Sequence, residues 1–271
     1  MAHIIKPTKE IAEASSVSGF LEALTNWRTA QKVSSRRYHS NIWYRGHSRR
    51  VFNLEPGVYR TAFTNAAKAC YGRSDEEKRL NLEREMLTEF RTAGATFSDP
   101  DNVVSFYFIA QHYGMPTRLL DWTANPLAAL FFAVTEHETE DGDAFVMDAP
   151  QLVPKSAEPD LYKFVLTMRH PYATDAIGVS FWHPDRNKRK PLILPIRPDN
   201  QLGRISQQSS CFTLHMHQCP PTRNGSLACI KIPAGKKVSL RQELHRLNVN
   251  QFTIYNDLDH LSKEIKQSWG V

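Results

Sequence analysis

The chain predicts an α+β fold: a single domain whose helical N-terminal half packs on a mostly antiparallel sheet. Three observations carry this expectation. Apolar residues at helical spacing concentrate before residue 136, whereas short β-like runs separated by proline and glycine concentrate after it. The two textures are segregated rather than alternating, which argues against βαβ units. At 271 residues, 41% of them hydrophobic, the chain is long enough to bury a full core.

The elements follow in order. Residues 17–32 place Val17, Phe20, Leu21, Leu24 and Trp27 on one helical face, behind Ser15, Ser16 and Ser18 as cap candidates. Asn41–Gly46 reads as a short strand ending at a glycine, and Asn53–Arg60 as a loop broken by Pro56-Gly57. From Ser74 to Ala95, Leu80, Leu82, Met86, Leu87 and Phe90 recur among charges, which predicts a second amphipathic helix starting at Ser74. Val103–Tyr113 reads as a buried helix, Thr117–Leu120 as a strand or turn, and Asn125–Thr135 as a helix with Pro126 in its first turn. Strands are expected at Ala144–Asp148, Leu192–Pro195, Cys211–His217, Leu227–Ile232 and Gln251–Tyr255, with a closing helix over 257–267.

Composition excludes several classes. No apolar run approaches the ~20 residues of a membrane span, and the first residues lack the hydrophobic centre of a secretory signal. Cys70, Cys211, Cys219 and Cys229 form no CxxC pair, so a reducing, cytoplasmic setting is expected. The net charge is +6, from 34 basic and 28 acidic residues. Its clusters at Arg36-Arg37, Arg45 with Arg49-Arg50, and Asp185–Lys190 fit an anionic partner, although a charge run is more often a solvated loop. P-loop, GxSxG, HExxH and dinucleotide signatures are missing.

The most informative stretch is Ala110–Val134. It sets Gln111, His112, Thr117, Arg118, Asp121 and Thr123 between two runs that read as buried. A stranded polar group beside a core costs roughly 1–3 kcal/mol, so such a cluster is an internal network or a ligand pocket. Arg118 and Asp121, three apart, are expected to pair with each other. His112 reads as an acid–base candidate or a packing residue, and Thr117 and Thr123 as site hydroxyls or backbone caps. Arg45 reads as an anion clamp, with Gly46 admitting a ligand to the backbone, or as a partner of Asp121. In Cys211–Cys219, alternation puts cysteines and histidines on one face, but the ends of such a strand lie about 26 Å apart, too far for one metal. A half-buried strand is the expectation there, and no metal.

Trp43-Tyr44-Arg45-Gly46-His47, Leu54-x-Pro-Gly-Val-Tyr-Arg60, Glu85–Phe90 and AQHYGMPTRLLDWTANPLAALFFA together resemble the FRG domain family, named for an aromatic-Arg-Gly motif. Arg204-Ile205-x-x-Gln208-x-x-x-Phe212-Thr213 and Asn256–Asp259 are also similar to its pattern. The resemblance runs over residues 17–266, leaving 1–16 as an extension and 267–271 as a tail. Ser210 stands where the family usually has glycine, and Tyr255-Asn256 where Phe-Pro is common.

A second resemblance is to ADP-ribosyltransferases of the arginine-serine-glutamate type. By order it implies an ADP-ribosyltransferase-like fold, with Arg45 on the phosphates of NAD, Thr123 ordering the site and Gln208 near the ribose. A guanidinium suits a pyrophosphate. Gln208, however, is neutral where that family places a glutamate, and only Glu243 or another carboxylate could replace its charge. The resemblances imply a nucleotide-binding protein using NAD as substrate in a bacterial or phage conflict system. Its site comprises Arg45, Thr123 and Gln208 as catalytic residues and Gly46, Arg60, Gln111, His112, Thr117, Arg118 and Asp121 as ligand-binding ones. The alternative is a non-catalytic module sensing nucleotides or nucleic acid; a nuclease using His112 and Asp121 ranks below both.

Overall fold

A computed structural model describes residues 5–32, 41–94, 103–153, 165–167, 171, 174, 177, 193–198, 210–215 and 222–270. Its strands are β1 (Ile5–Glu13), β2 (Ile42–His47), β3 (Leu119–Thr123), β4 (Gly142–Asp148), β5 (Leu166–Thr167), β6 (Ile193–Arg197), β7 (Ser210–His215) and β8 (Thr222–Ile232). They form one open sheet in the order β1-β8-β4-β2-β3-β7-β6-β5. The outer pairs β1/β8 and β5/β6 are parallel. The joins between them are antiparallel, so the expected α+β class and mainly antiparallel sheet are what the chain adopts.

The principal helices are α1 (Val17–Ala30), α2 (Thr61–Ala67), α3 (Asp75–Ala93), α4 (Val103–His112), α5 (Pro126–Val134), α6 (Lys237–Arg246), α7 (Gln251–Tyr255) and α8 (Leu258–Ser268). Local chemistry sets their starts. Ser16 Oγ accepts from Gly19 N at α1, and Ser74 Oγ accepts from Glu77 N at α3, whose first turn is acidic. Asn125 Oδ1 accepts from Leu127 N and Ala128 N at α5, with Pro126 at the first position. None of the described helices is long and apolar enough to cross a membrane.

The sheet is covered on both faces. One carries Tyr44, Val146 and Ile230 against Phe20, Leu24 and Trp27 of α1, the apolar α5, and Leu240 and Leu244 of α6. On the other, Trp43, Trp122, Phe145 and Met147 pack together. A third cluster joins Tyr107 and Phe108 of α4 to Leu119, Phe212 and Leu214. Central strands buried on two faces lose the in–out alternation of a half-solvated sheet. For this reason the expectation of a half-buried strand at Cys211–His217 is corrected: Cys211 to His215 are all buried. His217 and Cys219 lie outside the described residues.

Gln251–Tyr255, expected as a strand, is helical. Asn250 Oδ1 accepts from Thr253 N, Thr253 Oγ1 accepts from Asn250 N, and Asn256 closes the turn at φ 49°. Reciprocal capping of this kind outweighs the strand preference of Phe, Thr, Ile and Tyr in so short a run. Where a strand or turn is expected at Thr117–Leu120, a strand begins at Leu119 and runs to Thr123. Strand β1 and helix α2 carry too little periodicity to be read from sequence.

Candidate functional site

The site lies where the sheet opens. Strands β2 and β4 pair over six residues, but β2 and β3 share the single register pair Tyr44↔Thr123. Beyond that pair, β2 continues as Arg45-Gly46-His47 with no counterpart on β3. A cleft of about 680 Å³ occupies this part of the molecule. It is bordered by β2, by Asp121 and Thr123 of β3, by Ser210 of β7, by the 51–55 loop and by Tyr255 of α7. Thr123↔Ser210 extends the row begun by Tyr44↔Thr123, so three strands meet at one level of the cleft.

Arg45 bridges the opening. Its Nη1 donates to the main-chain carbonyl of Asp121 at 2.6 Å, and its Nε donates to His47 Nε2 at 2.9 Å. Asp121 Oδ2 lies 3.9 Å from Nη1. Nη2 donates to no acceptor among the described residues. Burial lowers the Arg45 pKa; Asp121 opposes that shift and the charge of Arg60 adds to it.

His47 is fixed as a neutral acceptor. Because Nε2 accepts from Arg45, the ring proton belongs on Nδ1, which donates to the Phe52 carbonyl at 3.2 Å. Burial, then the charge of Arg45, pushes the imidazole pKa down to about 3, with Phe52 O acting the other way and Arg60 adding to the depression. The ring sits edge-on to Phe145, 5.1 Å between centroids.

Gly46 lines the cleft, as the reading from sequence has it, but what requires a glycine there is packing. A Cβ there would lie 1.9 Å from the Ala129 carbonyl oxygen and 2.6 Å from Ala133 N, both on α5. Only glycine lets the helix lie this close to the strand. Gly142 makes the same allowance, 2.7 Å from Ala133 O.

The remaining expected site residues fall in different places. Arg60 and Thr123 line the cleft with Arg45, Gly46 and Asp121. Thr123 Oγ1 also accepts from Asn125 N at 3.0 Å, so it caps the turn into α5. Gln111 and Thr117 stand one layer behind: Gln111 Nε2 donates to Asp121 Oδ2 at 2.8 Å, and Thr117 Oγ1 donates to Gln111 Oε1 at 2.5 Å. His112 is exposed, packs edge-on to Tyr113 and lies outside the cleft lining. Gln208 lies outside the described residues.

Arg118 is corrected most sharply. Its partner is Glu83 of α3, not Asp121: Nε donates to Glu83 Oε2 at 2.9 Å, with both side chains buried. Tyr107 donates to the other Glu83 oxygen and lies under the guanidinium. Burial opposes the Arg118 charge, but Glu83, with Tyr107 and Tyr59, outweighs it and raises the pKa. This ion pair braces α3 and α4 behind β3 and does not face the cleft.

Three residues went unassigned by sequence reasoning. His47 lies two along from Arg45, and the period of a strand places both on one face, so that signal was present. Phe52 is held at the rim by ring contacts to His47 and His137 and by the Arg49 guanidinium 5.5 Å above it. Lys237, on α6, is fully buried and donates from Nζ to the carbonyls of Ser48, Glu136 and His137 at 2.6, 3.0 and 2.9 Å. It ties together two segments that border the cleft. Lys237 follows Lys236 at the start of a polar helix, and nothing local tells the buried lysine from its exposed neighbour.

Among the described residues no three His, Cys, Asp or Glu side chains are grouped as a metal site. No curated protein and no solved structure matches this chain significantly. Residues 40–142, which hold Arg45, Arg60, Asp121, Thr123 and the helix α5 behind them, match the family model of the FRG domain.

Proposed function

We propose that the protein binds a nucleotide in this cleft, with a phosphate on Arg45. One observation carries the reading: Arg45 lines the cleft, and its Nε and Nη1 are engaged by His47 and Asp121 while Nη2 has no hydrogen-bond partner among the described residues. A guanidinium already held in place takes up a phosphate without first losing its own side-chain freedom. Arg60 adds a second positive charge, and Phe52, Phe132 and Tyr255 supply aromatic surface for a base.

The catalytic form of this proposal is transfer of ADP-ribose from NAD, with NAD as substrate. The meeting of Arg45 and Thr123 at one cleft supports it. The neutral amide of Gln208 favours the second reading, a module that senses nucleotides or nucleic acid without turnover, because a developing ribosyl cation requires negative charge nearby.

Calorimetric titration with ATP, ADP-ribose and NAD tests the proposal. Wild-type protein is expected to bind at least one of them saturably, and Arg45→Ala to weaken it at least tenfold. Release of nicotinamide from NAD selects the transferase, and intact NAD selects the sensor. If short RNA or DNA is the ligand, affinity falls steeply between 50 and about 200 mM salt. Absence of saturable binding to all of these sinks the proposal.

A further inference from the structure

Asp121 is the only exposed residue on β3, and it lies in the cleft beside Arg45. Its two oxygens differ. Oδ2 accepts from Gln111 Nε2 at 2.8 Å and lies 3.9 Å from Arg45 Nη1. Oδ1 has no hydrogen-bond partner among the described residues. The carboxylate is also oriented. As an acceptor it requires the amide nitrogen of Gln111, which turns Gln111 Oε1 to Thr117, whose hydroxyl accepts from Leu119 N and donates to that oxygen. The chain of bonds has one direction and anchors Asp121 to the backbone of its own strand.

A carboxylate next to a phosphate site places a condition on the ligand. A carboxylate repels phosphate oxygens and accepts hydrogen bonds, so whatever rests on Oδ1 must be a hydrogen-bond donor. With a phosphate on Nη2 of Arg45, that donor has to sit close to the phosphate in the ligand. In a nucleotide the nearest donors are the sugar hydroxyls, while amino groups of the base lie beyond the sugar.

We infer that Asp121 accepts a ribose hydroxyl, and that the cleft therefore selects ribonucleotides over deoxyribonucleotides. This rests on the nucleotide reading of the cleft and adds the sugar to it. Carboxylates perform the same task in other nucleotide sites, and a site built to bond a hydroxyl discriminates against the analogue lacking it.

Calorimetry with ADP, 2′-deoxy-ADP and 3′-deoxy-ADP tests the inference on wild type and Asp121→Ala. Wild type is expected to bind ADP about tenfold more tightly than at least one of the deoxy analogues, a modest ratio because Asp121 is partly solvated. Asp121→Ala is expected to bind all three alike. Equal affinity of wild type for all three overturns the inference while leaving nucleotide binding intact, as does a preference that survives in Asp121→Ala. Binding of none of the three removes the nucleotide reading itself, and this inference with it. If Asp121→Ala unfolds below the wild-type melting temperature range, Asp121→Asn takes its place. The asparagine keeps the shape but loses the charge, and the preference is expected to shrink severalfold; no change overturns the inference.

Discussion

Arg45 donates from Nε to Nε2 of His47, two residues along the same strand, at 2.9 Å. The bond makes the imidazole an obligate acceptor and the guanidinium a fixed donor, so neither side chain is free to rearrange without the other. Protonating His47 would remove the acceptor and place two positive charges in contact, with Arg60 nearby.

Stability near this pair should therefore fall in acid. The imidazole pKa, pushed down to about 3 in the folded chain by burial and by Arg45, compares with about 6.5 when unfolded. The contribution is fully present above the unfolded value and is lost as pH falls from there toward the folded one. Between pH 7 and 5 the expected loss is on the order of 2 kcal/mol. Asp143, pushed up to about 6 by burial, acts in the opposite sense, contributing most in acid. The informative quantity is thus the difference between wild type and His47→Gln in chemical denaturation at each pH. Parallel curves for the two proteins contradict the assignment.

Gly46→Ala should damage the fold before it touches any ligand. The new methyl would overlap Ala129 O and Ala133 N on α5, and backbone atoms cannot swing aside as a side chain can. A loss of about 3 kcal/mol or more is expected, read as a lower denaturation midpoint. Unchanged stability with altered nucleotide binding would mean that the glycine is required by the ligand and not by α5.

Glu83→Gln should destabilise by about 3–5 kcal/mol, because it leaves the Arg118 charge buried without its partner. The double variant Glu83→Leu with Arg118→Met removes both charges and should recover much of that loss. Denaturant titration of the three proteins measures the recovery. Equal cost for the single and double variants would show that the pair contributes through packing alone.

Much of the local structure was legible. The apolar spacing and caps of α1, α3 and α5 are written within each segment, and those helices form where the spacing places them. The misread segment, α7, is too short for periodicity to separate helix from strand, and its outcome rests on the Asn250–Thr253 capping pair. The site was legible in outline: Arg45, Arg60, Asp121 and Thr123 do share a cleft. Its wiring was not. Arg118 precedes Asp121 by an odd number of residues along an extended segment, so the two are directed to opposite faces. The partner that Arg118 takes instead, Glu83, is 35 residues away.

By itself, the sequence determined the α+β class, the helices α1, α3 and α5, and the presence of a charged cluster that had to be satisfied beside a core. Only the tertiary structure decided which cation faces the cleft and which is sealed. Arg45 lies where β2 and β3 part after a single pair, while Arg118 lies where α3 and α4 close over the sheet. Periodicity is a property of neighbours in the chain and survives in the sequence. The pairing of buried charges depends on partners brought together by folding, and a guanidinium takes whichever carboxylate the packed elements deliver to it.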